Sequence, residues 1–308
     1  MNTERIIHTE EINTLIENQL QEWPMAKANF DALVKARRKR VAVGDLETGV
    51  QFNPARIRST GADISKEAIA ARKCFLCREN RPAEQHTHNL MSGLEMLVNP
   101  FPIFPVHFTF PAKEHRPQTA PPPAMVLLAI KFPDLCIFYN GAKAGASAPD
   151  HLHLQGVLSR ELPLIRLVER SHPAGGKSLM WSEEFGKDLP FRFLSGVVNP
   201  EETNMETLRT LLTTFGHDKE GAPDAALVNT YFWIDPACGL LRGIAIPRRA
   251  HRPSCYTAEG TDRLIVSPGA IDMAGMIITP REEDFEKITS EDIRRIYREV
   301  AFESQTSI

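Results

Sequence analysis

Residues 140–155 read Asn140-Gly-Ala-Lys143-Ala-Gly145-Ala-Ser147-Ala-Pro149-Asp150-His151-Leu-His153-Leu-Gln155. The first half is a loop of small residues closed by a proline. Small residues let backbone N–H groups approach a ligand closely, and a run of such groups forms an anion-binding concavity. The second half alternates. Read as a strand over 150–157, it sends His151, His153 and Gln155 to one face and Leu152 and Leu154 to the other. A His-x-His pair on a strand also serves as a metal chelate, or as two histidines satisfied at a sheet surface. The attached loop and Gln155 tip the reading toward chemistry at phosphorus.

This stretch resembles the histidine-triad superfamily, and within it the transferase branch of hexose-phosphate uridylyltransferases, diadenosine polyphosphate phosphorylases and nucleoside-diphosphate-hexose phosphorylases. The resemblance rests on Ser147 in a small-residue loop, followed by His151, His153 and Gln155. The hydrolase branch carries a third histidine where this chain has Gln155. The resemblance implies an α+β fold of duplicated halves, each an antiparallel sheet with flanking helices. It also implies His153 as a nucleophile that forms a covalent nucleotidyl intermediate, with Ser147 and Gln155 beside it. A carboxamide at 155 holds phosphoryl oxygens without being an acid, so the intermediate waits for phosphate or a sugar phosphate rather than water. The alternatives are a nucleotide hydrolase of the same superfamily and a non-catalytic, zinc-stabilised nucleotide-binding protein.

The rest of the composition sets bounds. The 308 residues are 42% hydrophobic and 24% charged, ordinary globular usage. A net charge of −3 argues against a nucleic-acid coat. No apolar run approaches the ~20 residues that span a bilayer, and the start lacks a basic-then-apolar signal pattern, which places the protein in the cytoplasm. Five cysteines, an odd number spread unevenly, point to reduced thiols.

Ahead of the decisive stretch, 9–38 reads as helix broken at Pro24, with Thr9 as cap and a basic end at 35–40 read as a solvated helix terminus. Residues 40–58 alternate like strands, which would place Arg56 and Arg58 on one face. The resemblance implies that this arginine-bearing segment reaches substrate phosphates. Cys74-Phe-Leu-Cys77 has the bite of a zinc knuckle, yet two ligands leave a tetrahedral site incomplete. His86 and His88 are local candidates to complete it, and two inert buried thiols are the alternative. The resemblance implies instead His115 and His151, with structural zinc and no organic cofactor. Strands at 94–98 and 106–110 flank Asn99, whose turn the resemblance assigns to the nucleoside. Asn140, Lys143 and Gly145 join Asn99, Arg56 and Arg58 as substrate-binding candidates.

The chain then repeats itself. Pro111-Ala-Lys-Glu-His115-Arg-Pro117 and Pro247-Arg-Arg-Ala-His251-Arg-Pro253 both follow an apolar strand end, the mark of a duplicated module. The second copy continues into Ser267-Pro-Gly269 without a histidine pair, so it has lost chemistry and kept packing, with a substrate contact at Ser267–Gly269. The division that follows is a helical segment over 1–40, a catalytic half over 41–170 and a degenerate half over 171–308. A helix over 202–215, a strand over 226–234 and a final helix capped by Ser290 complete the second half. The partners implied are a nucleotide substrate and a phosphate or sugar-phosphate acceptor, with a homodimer as candidate assembly, and neither membrane nor nucleic-acid polymer.

Overall fold

Period-two alternation of β-branched and aromatic residues builds the centre of the molecule. In Leu135–Asn140, Cys136 and Phe138 enter one apolar core while Ile137 and Tyr139 enter the other. A strand buried on both faces belongs in the middle of a sheet covered on both sides. The computed structural model describes residues 5–90, 93–198, 205–213, 216–217, 223–224 and 227–304.

The strands in chain order are β1 (Arg38–Val43), β2 (Leu46–Phe52), β3 (His88–Asn89), β4 (Glu95–Val98), β5 (His107–Pro111), β6 (Leu135–Asn140), β7 (His153–Leu158), β8 (Leu179–Trp181), β9 (Leu194–Val198), β10 (Gly216–His217), β11 (Pro223–Asp224), β12 (Val228–Ile234), β13 (Leu241–Pro247) and β14 (Met276–Thr279). Nine of them form one sheet in the order β3-β4-β5-β7-β6-β12-β13-β9-β8, antiparallel throughout. The two halves therefore join edge to edge. The seam is β6 against β12, with Asn140 opposite Asn229 and Phe138 opposite Tyr231. A smaller sheet, β1-β2-β14, pairs β14 in parallel with β2. The fold is α+β.

One core lies between the large sheet and the small one, with the helices Pro163–Ser171 and Ser290–Val300 closing it. The other lies under the helices Thr9–Glu22, Pro24–Val34 and Ala124–Lys131. The final helix buries Ile293, Ile296, Tyr297 and Val300 on one stripe, the i, i+3, i+4, i+7 spacing of its sequence.

Local expectations fail where a neighbouring element supplies a better partner. Thr9 does not cap its helix: its hydroxyl donates to the half-exposed Asp134, and His8 occupies the cap position. The last helix is capped by Thr289, whose hydroxyl accepts from the Asp292 amide, and not by Ser290. The second half of the basic run at 35–40 is strand: Arg38–Arg40 open β1, and Arg37 pairs with Glu282 and Glu286. The helix expected over 202–215 spans Met205–Thr213, while 202–204 and Phe215 lie outside the described residues, as does Ala226. Among the described residues no helix is long and apolar enough to cross a membrane.

Candidate active site

Strand β7 begins at His153, so His151 stands in the turn before it and the two imidazoles go to different places. His153 is buried, 6% exposed, rather than surface-facing. Its Nδ1 lies 2.8 Å from the carbonyl of His151. A carbonyl only accepts, so Nδ1 carries the proton and Nε2 keeps its lone pair. Burial lowers the ring's pKa to about 4, against opposing hydrogen-bond help from the His151 carbonyl. The imidazole is neutral near pH 7, with Nε2 unprotonated.

Two residues that the sequence reading passed over hold this strand in register with the loop. Gln118 accepts from the His153 amide at 2.9 Å and donates to the Asn140 carbonyl, tying the two ends of the decisive stretch together. His107, fully buried on β5, accepts at Nδ1 from the Ile103 amide at 3.2 Å and therefore donates from Nε2 to Gln155 Oε1 at 2.9 Å. This fixes the carboxamide of Gln155: its oxygen faces His107 and its NH2 group is left for the cleft. The only sequence signal for His107 was its place on a strand flanking β7, which is visible once β5 and β7 are known to pair.

The cleft is lined by Arg56, Ser59, Thr60, Ile103, Phe138, Asn140, Gly145, Ser147 and Gln155 from the first half. Ser267, Gly269, Ala270, Ile271, Asp272 and Ile278 line it from the second. Arg56 donates to the Phe101 carbonyl at 3.0 Å, and burial lowers its guanidinium to about 10, opposed by the Asp272 carboxylate. Among the described residues no carboxylate forms an ion pair with it, so a half-buried cation faces a cleft that also holds Ser147 and the Gln155 amide. Burial raises Asp272 to about 6, although the amides of Ile278 and Gly269 donate to it.

Three candidates stand apart. Asn53-Pro54 ends β2, and a turn followed by the helix Ile57–Thr60 replaces the expected strand, so Arg58 points to solvent while Arg56 points inward. A helical turn separates side chains two residues apart, whereas a strand would have aligned them. Lys143 is exposed and outside the cleft lining. The Asn99 side chain serves its own turn, accepting from the Phe101 amide and donating to Thr109.

On the other side of the turn, Cys74, Cys77, His115 and His151 place their ligand atoms within 4.8 Å of one another. Sulfur–nitrogen separations are 3.3 Å for Cys74–His151, 3.2 Å for Cys77–His115 and 3.6 Å for Cys77–His151. Zinc bonds of about 2.3 Å to sulfur and about 2.0 Å to nitrogen, at tetrahedral angles, put the two donors about 3.5 Å apart. His151 Nε2 lies 2.8 Å from the Ala112 carbonyl, which makes it the protonated nitrogen and leaves Nδ1 free for a metal. The buried Arg81 grips the Leu76 carbonyl and pairs with buried Glu95 at 2.6 Å, holding the knuckle on β4. The donor set and its spacing fit a zinc ion. His86 is diverted to Glu22 at 2.9 Å, and neither it nor His88 belongs to the cluster.

The fold is shared with a solved yeast enzyme. The yeast Ap4A phosphorylase Apa2 is similar to the chain over 93% of its length and 98% of the yeast chain, at 15% identity and a TM-score of 0.57. The same yeast enzyme in complex with AMP gives 14% identity, 93% and 97% coverage and a TM-score of 0.52. Its complex with Ap4A gives 16%, 93% and 98% coverage, and 0.51. Residues 15–158 match a family described as a domain of unknown function, DUF4922. No curated protein matches the sequence.

Proposed function

We propose that the protein is a nucleotidyltransferase of the phosphorylase type, acting on a dinucleoside polyphosphate or nucleoside-diphosphate sugar through a nucleotidyl-His153 intermediate. The observation that carries this reading is the tautomer of His153. Its Nδ1–H is held by the His151 carbonyl, and its free Nε2 stands on the strand that brings Gln155 into the cleft beside Ser147. The printed descriptions of the similar yeast enzyme, an Ap4A phosphorylase seen with AMP and with Ap4A, support the same substrate class.

In the first half-reaction Nε2 attacks the α-phosphorus. An N–P bond forms, the bond to the bridging oxygen breaks, and the departing nucleoside triphosphate, or sugar phosphate, takes the electron pair. Arg56, the Ser147 hydroxyl and the Gln155 NH2 neutralise the non-bridging oxygens. In the second, an oxygen of orthophosphate attacks the same phosphorus, the N–P bond breaks, and His153 is restored as a nucleoside diphosphate leaves. Gln155, lacking an ionisable proton, gives water no general acid or base.

Zinc held by Cys74, Cys77, His115 and His151 is structural in this reading: it fixes the turn from which β7 departs. In this reading a helical segment over 1–40 precedes a catalytic half over 41–170 and a degenerate half over 171–308, and the enzyme works in the cytoplasm. The test is incubation with Ap4A without phosphate, followed by intact-mass measurement. An AMP adduct that maps to His153 and is discharged as ADP by orthophosphate is expected. No adduct across Ap4A and a panel of nucleoside-diphosphate sugars overturns the reading.

A further inference from the structure

The second half carries no histidine pair, yet it holds the loop of the first half at every turn. The Gly141 amide donates to the Val228 carbonyl at 2.9 Å. Asn229 donates to the Ala144 carbonyl at 2.8 Å and to Asn140 Oδ1 at 3.2 Å, and the Ala270 amide donates to that same Oδ1 at 2.6 Å. The Gly145 amide donates to His251 Nδ1 at 3.3 Å. Gly145 has φ +93°, and a side chain there would collide with the backbone of Pro268 and Gly269.

Behind these contacts sits Arg248, fully buried. It donates to Asn229 Oδ1 at 2.5 Å, to the Pro268 carbonyl at 3.1 Å from both terminal nitrogens, to the Ala250 carbonyl at 3.1 Å and to the Val300 carbonyl at 2.9 Å. Every N–H of the guanidinium is used, and no carboxylate is among its partners. A buried cation caged by carbonyls is costly unless its geometry is needed. Here it turns the Asn229 amide toward the loop and pins Pro268 against Gly145.

We propose that Arg248 and His251 are positioning residues for the Gly141–Ser147 loop, so that the degenerate half sets the loop's backbone shape. In the first copy of the repeated Pro-x-x-x-His-Arg-Pro segment, His115 joins the cysteine cluster. In the second, His251 grips the loop. Because His251 occupies the Gly145 amide, that amide is withheld from a phosphate, and the grip decides where the Ala146 and Ser147 amides that follow it aim. The effect on turnover rests on the nucleotidyl-transfer reading; the effect on the loop does not.

The test compares His251→Leu, which removes the acceptor, with His251→Gln, which can restore it through its side-chain oxygen, and adds Arg248→Lys. Hydrogen–deuterium exchange of the peptide covering 141–149 is measured first. Leu should speed exchange there by about tenfold, the scale of one lost hydrogen bond, leave distant peptides and Tm nearly unchanged, and Gln should reverse the effect. With Ap4A as donor, Leu should lower kcat by a similar factor with KM changed little, and Gln should recover it. Arg248→Lys should loosen the same peptide; should it fail to fold, the His251 pair alone decides. Wild-type loop exchange in the Leu variant overturns the proposal, as does a loss that Gln does not repair. A wild-type protein inert toward Ap4A counts against the transfer reading only, and exchange still judges the positioning role.

Discussion

His107 Nε2 donates to Gln155 Oε1 at 2.9 Å, and the direction of that bond is set by a third group, the Ile103 amide, which occupies His107 Nδ1. A buried histidine thus decides which end of a carboxamide meets the substrate. His107→Leu keeps the volume and frees Gln155 to turn its oxygen toward the phosphate, where it repels. We expect kcat for transfer to fall about tenfold, the scale of one misdirected hydrogen bond. Unchanged single-turnover rates with Ap4A would refute the role.

Burial also makes His107 a pH-sensitive element of stability. Its pKa in the folded protein is lowered from 6.5 to about 3, by burial first and by the Arg56 charge second. His251 is lowered to about 3 likewise, by burial and then by Arg252 and Arg248. Folded-state values below the unfolded ones mean that their contribution is fully present above about pH 6.5. It is lost as pH falls from there toward 3, because only the unfolded chain takes up the protons. Each such histidine should steepen the loss by about 1.4 kcal/mol per pH unit. Urea midpoints between pH 7 and pH 5 measure it, and His107→Gln should flatten the slope. An equal slope in both proteins would remove His107 as a source.

His153→Ala should abolish formation of the covalent adduct. It should also lower stability by about 1–3 kcal/mol, since the ring is buried and its loss leaves the His151 carbonyl unpaired. Intact mass and thermal unfolding on the same samples separate the two effects. Persisting adduct in this variant would exclude His153 as nucleophile.

Purified protein should carry about one zinc per chain, and Cys74→Ser should lose metal and stability together, because structural metal binding is coupled to folding. The ligand His151 lies two residues before His153, so the same variant should slow adduct formation. Elemental analysis finding no zinc, with Cys74→Ser as stable as the parent, would remove the site.

Transfer and hydrolysis differ in what happens when the acceptor is withheld. With Gln155 in place the nucleotidyl enzyme should persist in plain buffer, discharge to a nucleoside diphosphate on adding orthophosphate, and follow ping-pong kinetics. Discharge by a hexose phosphate to a nucleotide sugar would reassign the acceptor. Prompt release of nucleoside monophosphate, indifferent to either acceptor, would make it a hydrolase.

What the sequence determined by itself was local or repeated. The alternation of Leu152, His153, Leu154 and Gln155, the small-residue loop, the two Pro-x-x-x-His-Arg-Pro segments and the apolar stripe of the last helix all follow from spacing along the chain. They led to the α+β class and to the branch resembled. Spacing misled where a proline changed the period, as at Pro54, which turned Arg58 away from Arg56. The tertiary structure decided everything that depends on which strands become neighbours. His107 reaches Gln155 because β5 pairs with β7. Asn229 reaches Ala144 because β12 pairs with β6. His251 reaches Gly145 from 106 residues away. Such contacts are set by sheet register and by how two halves share one sheet, and a chain read one residue at a time carries no term for either.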